Sequence, residues 1–344
     1  MIQNIENKTI YVYCLASVVT GGCELLHQLV DYLNNNGREA YIVYVGKGKH
    51  EIPQAYSSYN IKVSDDIVDT TDSIIVVDEG FMYLVKSIKY AHCIFWWLSV
   101  DNFFLDPDQL PYHCLSNIYK WNKRSIIQVI KTIVLKKMYY RCLITPKFKI
   151  KDLIDRNAIN AYQSEYAHLF LKRFGFTNIV PLKDYINTEF ITNETNINKE
   201  KIVIYNPKKG WKYTKKLIDY GNDIEWIPLT NLSRKQMQEV MLRAMVYVDF
   251  GNHPGKDRIP REAALNRCCI ITGKKGSANN AIDIEIPSFY KIDEYKVPIS
   301  KVLDTIKYVL NNYEQCVIEQ KKYVDNILSE KTEFEAQIRT IFNI

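Results

Sequence analysis

One pattern recurs along this chain: a short, continuous apolar run ending in small or acidic residues, then a helix-like segment, then another apolar run. In the first half the runs are "TIYVYCLA", "EAYIVYV", "DSIIVVDEG" and "HCIFWWLSVDN". Runs that are apolar throughout, rather than alternating, suit strands covered on both faces, as in parallel sheets. Between the first two lies "GGCELLHQLVDYLNNNG", which places Leu25, Leu26, Leu29, Val30 and Leu33 on one helical face and closes on Gly37. The helical segment "EYAHLFLKRFG" and the run "NIVPL" complete a doubly wound α/β domain, expected over residues 1–186.

The composition then changes. Residues 187–200 are rich in Asn and Thr without apolar periodicity, which predicts a linker. Alternation restarts with strand "IVIYNP", helix "GWKYTKKLIDYG", strand "IEWIPL", helix "SRKQMQEVMLRA", strand "VYVDFG", helix "PREAALNR" and strand "CCIIT". A second α/β domain is therefore expected over 201–300. Residues 301–344 read as helices, the last returning to the N-terminal domain. The fold class expected is α/β: two Rossmann-like doubly wound domains facing a cleft, with a C-terminal helical tail.

A chain of 344 residues accommodates two such domains. Its net charge of +6 fits anionic small molecules or a membrane surface and is too small to argue for nucleic acid. The cysteines at 14, 23, 93, 114, 142, 268, 269 and 316 form neither a Cys-x-x-Cys pair nor a metal-ligand spacing. They are expected to be reduced core thiols in a cytoplasmic protein. Cys268-Cys269 lies within an apolar run, where a buried strand is expected. The opening "MIQNIENK" is polar, unlike a signal peptide, and no run reaches the roughly 18 apolar residues of a spanning helix.

Ligands of parallel sheets bind beyond the carboxyl ends of the strands, so the loops there carry the functional signal. After "IVIYNP" come Lys208, Lys209 and Gly210, two cations at a helix start, an arrangement that attracts phosphate. After "VYVDFG" come His253, Gly255, Lys256 and Arg258. Gly255 would let a ligand approach the backbone, and the two cations would neutralise a diphosphate. A helix is expected from Pro260, with Glu262 in its first turn, placed to accept hydrogen bonds from ribose hydroxyls. After "CCIIT" comes a third small basic loop, Gly273 to Ser277. Three such loops at one end of one domain predict a nucleotide-diphosphate pocket.

The progression from Lys209-Gly210 through "WIPLTNLSRKQMQEVMLRAMVYVDFG" to "PREAALNRCCIITGKKGSA" resembles the donor half of GT-B glycosyltransferases. The opening "TGGCELLHQLVDYLNNNGREAYIVY" is similar to that family's N-terminal pattern. By resemblance, Glu262 holds the nucleotide ribose and Lys209 a phosphate of a nucleotide-sugar donor. There are two departures. Pro254 stands where many retaining members carry a partner glutamate, and "Arg-Cys-Cys-Ile" replaces the usual Gly-x-Pro-Val. The chain is thus expected to be a divergent branch serving bacterial surface polysaccharide, such as lipopolysaccharide or capsule. No cofactor or metal is expected.

Acceptor and catalytic base are expected on the first domain. Glu79 and Asp101 each end an apolar run, and Gly21-Gly22 would let substrate approach the backbone. His27 reads as packing. Asp106-Pro107-Asp108 imitates a metal-binding Asp-x-Asp, but in the wrong topology. Residues Asn122 to Arg141 hold six basic residues among apolar ones, which fits either a membrane-surface helix or a buried helix with snorkelling lysines. The expected partners are a nucleotide sugar, a glycan or lipid-linked glycan acceptor, and peripherally the inner membrane at its cytoplasmic face. A nucleotide-sugar epimerase on the same scaffold, or a non-catalytic subunit binding a partner transferase, are the alternatives.

Overall fold

The computed structural model describes residues 5–103, 150–187 and 198–344. Asp106-Pro107-Asp108, the basic segment 122–141 and most of the expected linker lie outside the described residues. The chain divides into two compact units: Met1–Gln163, Ala167–Lys183 and Glu335–Ile344 form the first, and Ser164–Tyr166 with Asp184–Phe334 the second.

The first unit contains β1 (Thr9–Leu15), α1 (Gly21–Asn35), β2 (Ala40–Val45), β3 (Lys62–Val63), β4 (Ser73–Asp78), β5 (His92–Trp97), α2 (Val100–Phe103), α3 (Ile150–Ile154) and β6 (Ile159–Tyr162). Most of α4 (Glu165–Arg173) and all of β7 (Ile179–Pro181) complete it. The strands form a seven-stranded sheet in the order β3-β2-β1-β4-β5-β6-β7, paired in parallel throughout. The order reverses between β1 and β4, the topological switch point of a doubly wound sheet. Gly21 and Glu79 follow these two strands. The apolar runs are buried as central strands are, with Val76, Ile94, Trp96 and Trp97 fully inaccessible. On α1, Leu25, Leu26, Leu29, Val30 and Leu33 all point inward, and Thr20 caps the helix by accepting from the Cys23 amide.

The C-terminus is tied into this unit by Arg38, whose guanidinium donates to the carbonyls of Ile5, Lys8 and Phe342. His27 is core. Its Nδ1 donates to the Cys23 carbonyl at 2.6 Å, and its Nε2 accepts from the Tyr44 hydroxyl at 2.8 Å. Burial lowers its pKa, which keeps the ring neutral in that role.

The second unit contains β8 (Glu200–Tyr205), α5 (Trp211–Tyr220), β9 (Glu225–Pro228), α6 (Arg234–Arg243), β10 (Ala244–Asp249), α7 (Arg258–Leu265), β11 (Cys269–Gly273), β12 (Lys291–Ile292), α8 (Ile299–Asn311), α9 (Tyr313–Glu319) and most of α10 (Lys321–Phe342). Its five parallel strands run β12-β11-β10-β8-β9. Ser233 and Gln236 form a capping box that starts α6. Cys268 and Cys269 are buried thiols, the second opening β11, as their apolar surroundings predict. The expected α/β class with two parallel sheets and C-terminal helices is what the chain adopts. Among the described residues, no helix is long and apolar enough to cross a membrane.

Candidate functional site

The loops after β8 and β10 meet back to back at the carboxyl end of the second sheet. Gly210 takes φ +63°, and a Cβ there would lie 2.5 Å from the Phe250 backbone, so only glycine fits. Gly251 faces it in kind, since its Cβ would lie 2.5 Å from the Cβ of Lys209. Asn206 shapes the first loop by accepting from the Lys208 amide. Lys208 is exposed. The Tyr213 ring packs on Phe250 at 4.8 Å, and its buried hydroxyl has no hydrogen-bond partner among the described residues.

Strand β10 delivers Asp249 into this junction. One carboxylate oxygen accepts from the Tyr247 hydroxyl and the other from the Gly251 amide, both at 2.8 Å. His253 lies one turn of loop further on, with Nε2 3.5 Å from Asp249 Oδ1 and Nδ1 2.9 Å from Asp257 Oδ2. Neither contact has hydrogen-bond alignment, so these are charge contacts. Burial alone would lower the imidazole's pKa. The two carboxylates outweigh it and lift it to about 9, and His253 is cationic at neutral pH. Lys209 Nζ approaches the same Asp257 oxygen at 2.6 Å.

Asp249, His253 and Asp257 bring one potential ligand atom each within 4.8 Å of one another, close enough for a single cation to reach all three. The expectation of no metal did not foresee that grouping. However, Lys209 already occupies Asp257, and two carboxylates are balanced by an imidazolium and an ammonium. A cation entering here would have to displace both a proton and a lysine.

Helix α7 starts at Arg258, two residues before Pro260, with Asp257 at its N-cap position. Glu262 is therefore one turn inside rather than in the first turn, which corrects the sequence reading. Its carboxylate lies 3.3 Å from Arg258 Nε. Burial first, and then the Asp249 carboxylate that its hydroxyl donates to, raises the Tyr247 phenol's pKa well above its ordinary value. Arg261, the other arginine of α7, faces inward. Its guanidinium meets Asp184 at 2.5 Å and Glu330 at 2.7 Å, and Lys256 Nζ reaches the other Glu330 oxygen at 2.5 Å. The structure thus binds Lys256 to the α10 carboxylate, whereas the sequence reading aimed it at a phosphate.

The loop after β11 braces the one after β10. The Ser277 hydroxyl donates to the Gly255 carbonyl at 2.7 Å, and the Ser277 amide to the His253 carbonyl at 2.9 Å. Gly276 is mandatory at that crossing, because a Cβ would lie 1.9 Å from the His253 oxygen. Gly255 does not adopt the left-handed region, and Ser277 ties loop to loop. Lys275 meets the buried Glu294 at 2.6 Å, and Lys274 is exposed.

In the first unit, Gly21 and Gly22 open α1. A Cβ on Gly22 would make only an ordinary 3.9 Å contact with Leu98, so packing among the described residues does not demand glycine. Glu79 is buried and accepts from the amides of Leu98 (2.9 Å) and Ser99 (2.8 Å). Those bonds end β5 at Trp97, so Asp101 lies not on the strand but in α2. Burial first, and then neighbouring Asp78, raises the Glu79 carboxyl's pKa to about 8.

No family model matches this chain, and no curated protein matches it. Solved structures do. Sucrose-phosphate synthase from Thermosynechococcus elongatus aligns at 9% identity over 98% of each chain, with a TM-score of 0.62. Anabaena HepE in complex with UDP-glucose aligns at 10% identity over 97% of this chain and 99% of its own, TM-score 0.58. The lipopolysaccharide outer core galactosyltransferase WaaB aligns at 9% identity over 98% and 99%, TM-score 0.57. The fold is GT-B.

Within this GT-B chain, sequence reasoning placed Lys209, His253, Arg258 and Glu262 at one sheet end but passed over Asp249 and Asp257. The signal was present as a four-residue spacing, Asp249, His253, Asp257, across a loop that folds back on itself. Glu294 and Glu330 carried no local signal, because each reaches its partner from a distant segment.

Proposed function

We propose that this chain is a glycosyltransferase that moves a sugar from a nucleotide-sugar donor to a growing surface glycan, without a metal ion, at the cytoplasmic face of the inner membrane. The observation that carries the reading is the convergence of Lys209, Arg258 and Glu262 at the carboxyl end of a parallel sheet, beside the N-terminus of α7. Cations beside a helix N-terminus suit a diphosphate, and a carboxylate one turn inside suits the ribose diol. Countercharge from Lys209 and Arg258 would stabilise the departing nucleoside diphosphate, the role a metal otherwise fills. The GT-B neighbours favour this reading: HepE was solved with UDP-glucose, and WaaB is a lipopolysaccharide outer core galactosyltransferase.

A thermal-shift series with UDP, GDP, CMP and dTDP, followed by incubation with the matching nucleotide sugars and glycan acceptors, tests it. Stabilisation by one nucleotide class and acceptor-dependent nucleotide release, unchanged by EDTA, is the expected result. A new sugar isomer would identify an epimerase. No shift and no release with any donor would leave a non-catalytic subunit, and loss of turnover in EDTA would refute metal independence.

A further inference from the structure

The buried line Tyr247–Asp249–His253–Asp257–Lys209 has a direction. Side-chain exposure is 2% at Asp249, 0% at His253, 19% at Asp257 and 31% at Lys209, so the line runs from the core to the lip of the donor loops. Its outer carboxylate, Asp257, is shared: the single oxygen Oδ2 faces Nζ of Lys209 at 2.6 Å and Nδ1 of His253 at 2.9 Å. We propose that Asp257 is a counter-ion gate for the donor phosphates, holding Lys209 in the empty protein and yielding it to an incoming diphosphate. This rests on the donor-site reading given above and adds to it how the site is kept closed to weak anions.

The physical case is one of charge compensation. A carboxylate that lost its only cation in a partly buried site would be left uncompensated, and the exchange would be strongly opposed. Asp257 avoids this because Nδ1 of His253 stays 2.9 Å from the same oxygen, with Asp249 Oδ1 3.5 Å from the ring's other nitrogen. His253 is thereby a positioning residue: it stabilises the state in which Lys209 has left. Lys209, the more exposed partner on a flexible stem, is the member free to swing. An anion must therefore outcompete a carboxylate for Lys209. A diphosphate with several charges and acceptor oxygens does so, whereas a singly charged anion does not.

The test measures binding of inorganic phosphate, inorganic pyrophosphate, UDP and uridine to the full chain by calorimetry. The variants are Asp257→Asn, Lys209→Ala and the double substitution. Asp257→Asn should tighten both inorganic anions and UDP by about two- to fivefold, as expected for removing a part-exposed competing ion pair, and should leave uridine unchanged. In the Lys209→Ala background that gain should vanish, which separates release of Lys209 from a general loss of negative charge. Asp257→Ser, a shorter uncharged side chain suited to the N-cap position of α7, gives the same readout if the amide fails to fold. A gain that survives Lys209→Ala, or unchanged or weaker anion binding in both Asp257 variants, overturns the gate. If Lys209→Ala alone abolishes anion binding while Asp257→Asn does nothing, the donor site stands and the gate falls. If no anion or nucleotide binds any form, the donor-site reading falls and the gate with it.

Discussion

Arg258 and Glu262 sit one helical turn apart on α7, with guanidinium Nε and carboxylate Oε1 separated by 3.3 Å. The cation assigned to a phosphate and the acid assigned to the ribose are thus already neighbours. A carboxylate that bonds two ribose hydroxyls contributes about 1.5–3 kcal/mol per charged hydrogen bond. Glu262→Gln is expected to weaken nucleotide binding by about tenfold or more, with only a modest fall in melting temperature. Equal nucleotide affinity in mutant and wild type would refute the ribose assignment.

Lys209 and Lys256 should behave differently. Lys209 lies at the lip with 31% side-chain exposure, whereas Lys256 is bound to Glu330, which also holds the buried Arg261. Lys209→Ala should lose affinity for nucleoside diphosphate more than for nucleoside and melt near wild type. Lys256→Ala should melt lower and keep its nucleotide affinity. Arg261→Met should be the most damaging, by about 3–5 kcal/mol, because it strands Asp184 and Glu330 without their buried cation. Denaturant titrations beside calorimetry distinguish the three.

The imidazole of His253 gives the second unit a pH signature. Its folded pKa of about 9 lies above the ordinary value of 6.5. The stability it contributes is complete below pH 6.5, shrinks as pH rises from there and is lost through about 9. A shift of that size corresponds to ~3 kcal/mol at most. The difference in unfolding free energy between wild type and His253→Gln should therefore be largest near pH 6 and fall, by ~3 kcal/mol at most, to a constant value above pH 9.5. A difference that does not vary with pH would mean that His253 is neutral in the folded protein.

Glu79 and Asp101 remain the acids from which a base for the acceptor hydroxyl would come. Burial keeps the Glu79 carboxyl protonated up to about pH 8, so catalysis through it should climb with pH toward that value. General-base contributions are typically about 10²–10⁴ in rate. Glu79→Gln should also lower stability, because an amide nitrogen would face one of the two amide donors at Leu98 and Ser99. Nucleotide binding to the second unit should persist in both variants. If Glu79→Gln and Asp101→Asn both turn over within about threefold of wild type, these acids are not the base. A retaining reaction, in which the leaving phosphate takes the proton, then becomes the better account.

The chain's local chemistry determined its layers. Apolar runs such as "SIIVV" and "CIFWW" make little sense except as strands covered on both faces, and the face of α1 from Leu25 to Leu33 was legible as a buried stripe. The basic small-residue loops after β8, β10 and β11 were legible because loop composition follows position at a strand's carboxyl end. Only the tertiary structure decided what those loops do with their charges. Lys256 and Arg258 are two residues apart, yet one is bound to Glu330 and the other to Glu262. Lys209 and Lys275 look alike in sequence, yet one shares Asp257 with a histidine and the other is bound to Glu294. Asp101 reads as a strand end, yet two amides captured by Glu79 end that strand four residues earlier. The reason is physical: periodicity and loop composition are properties of neighbouring residues, whereas a charge takes its role from its nearest opposite charge, and here that partner usually arrives from tens of residues away.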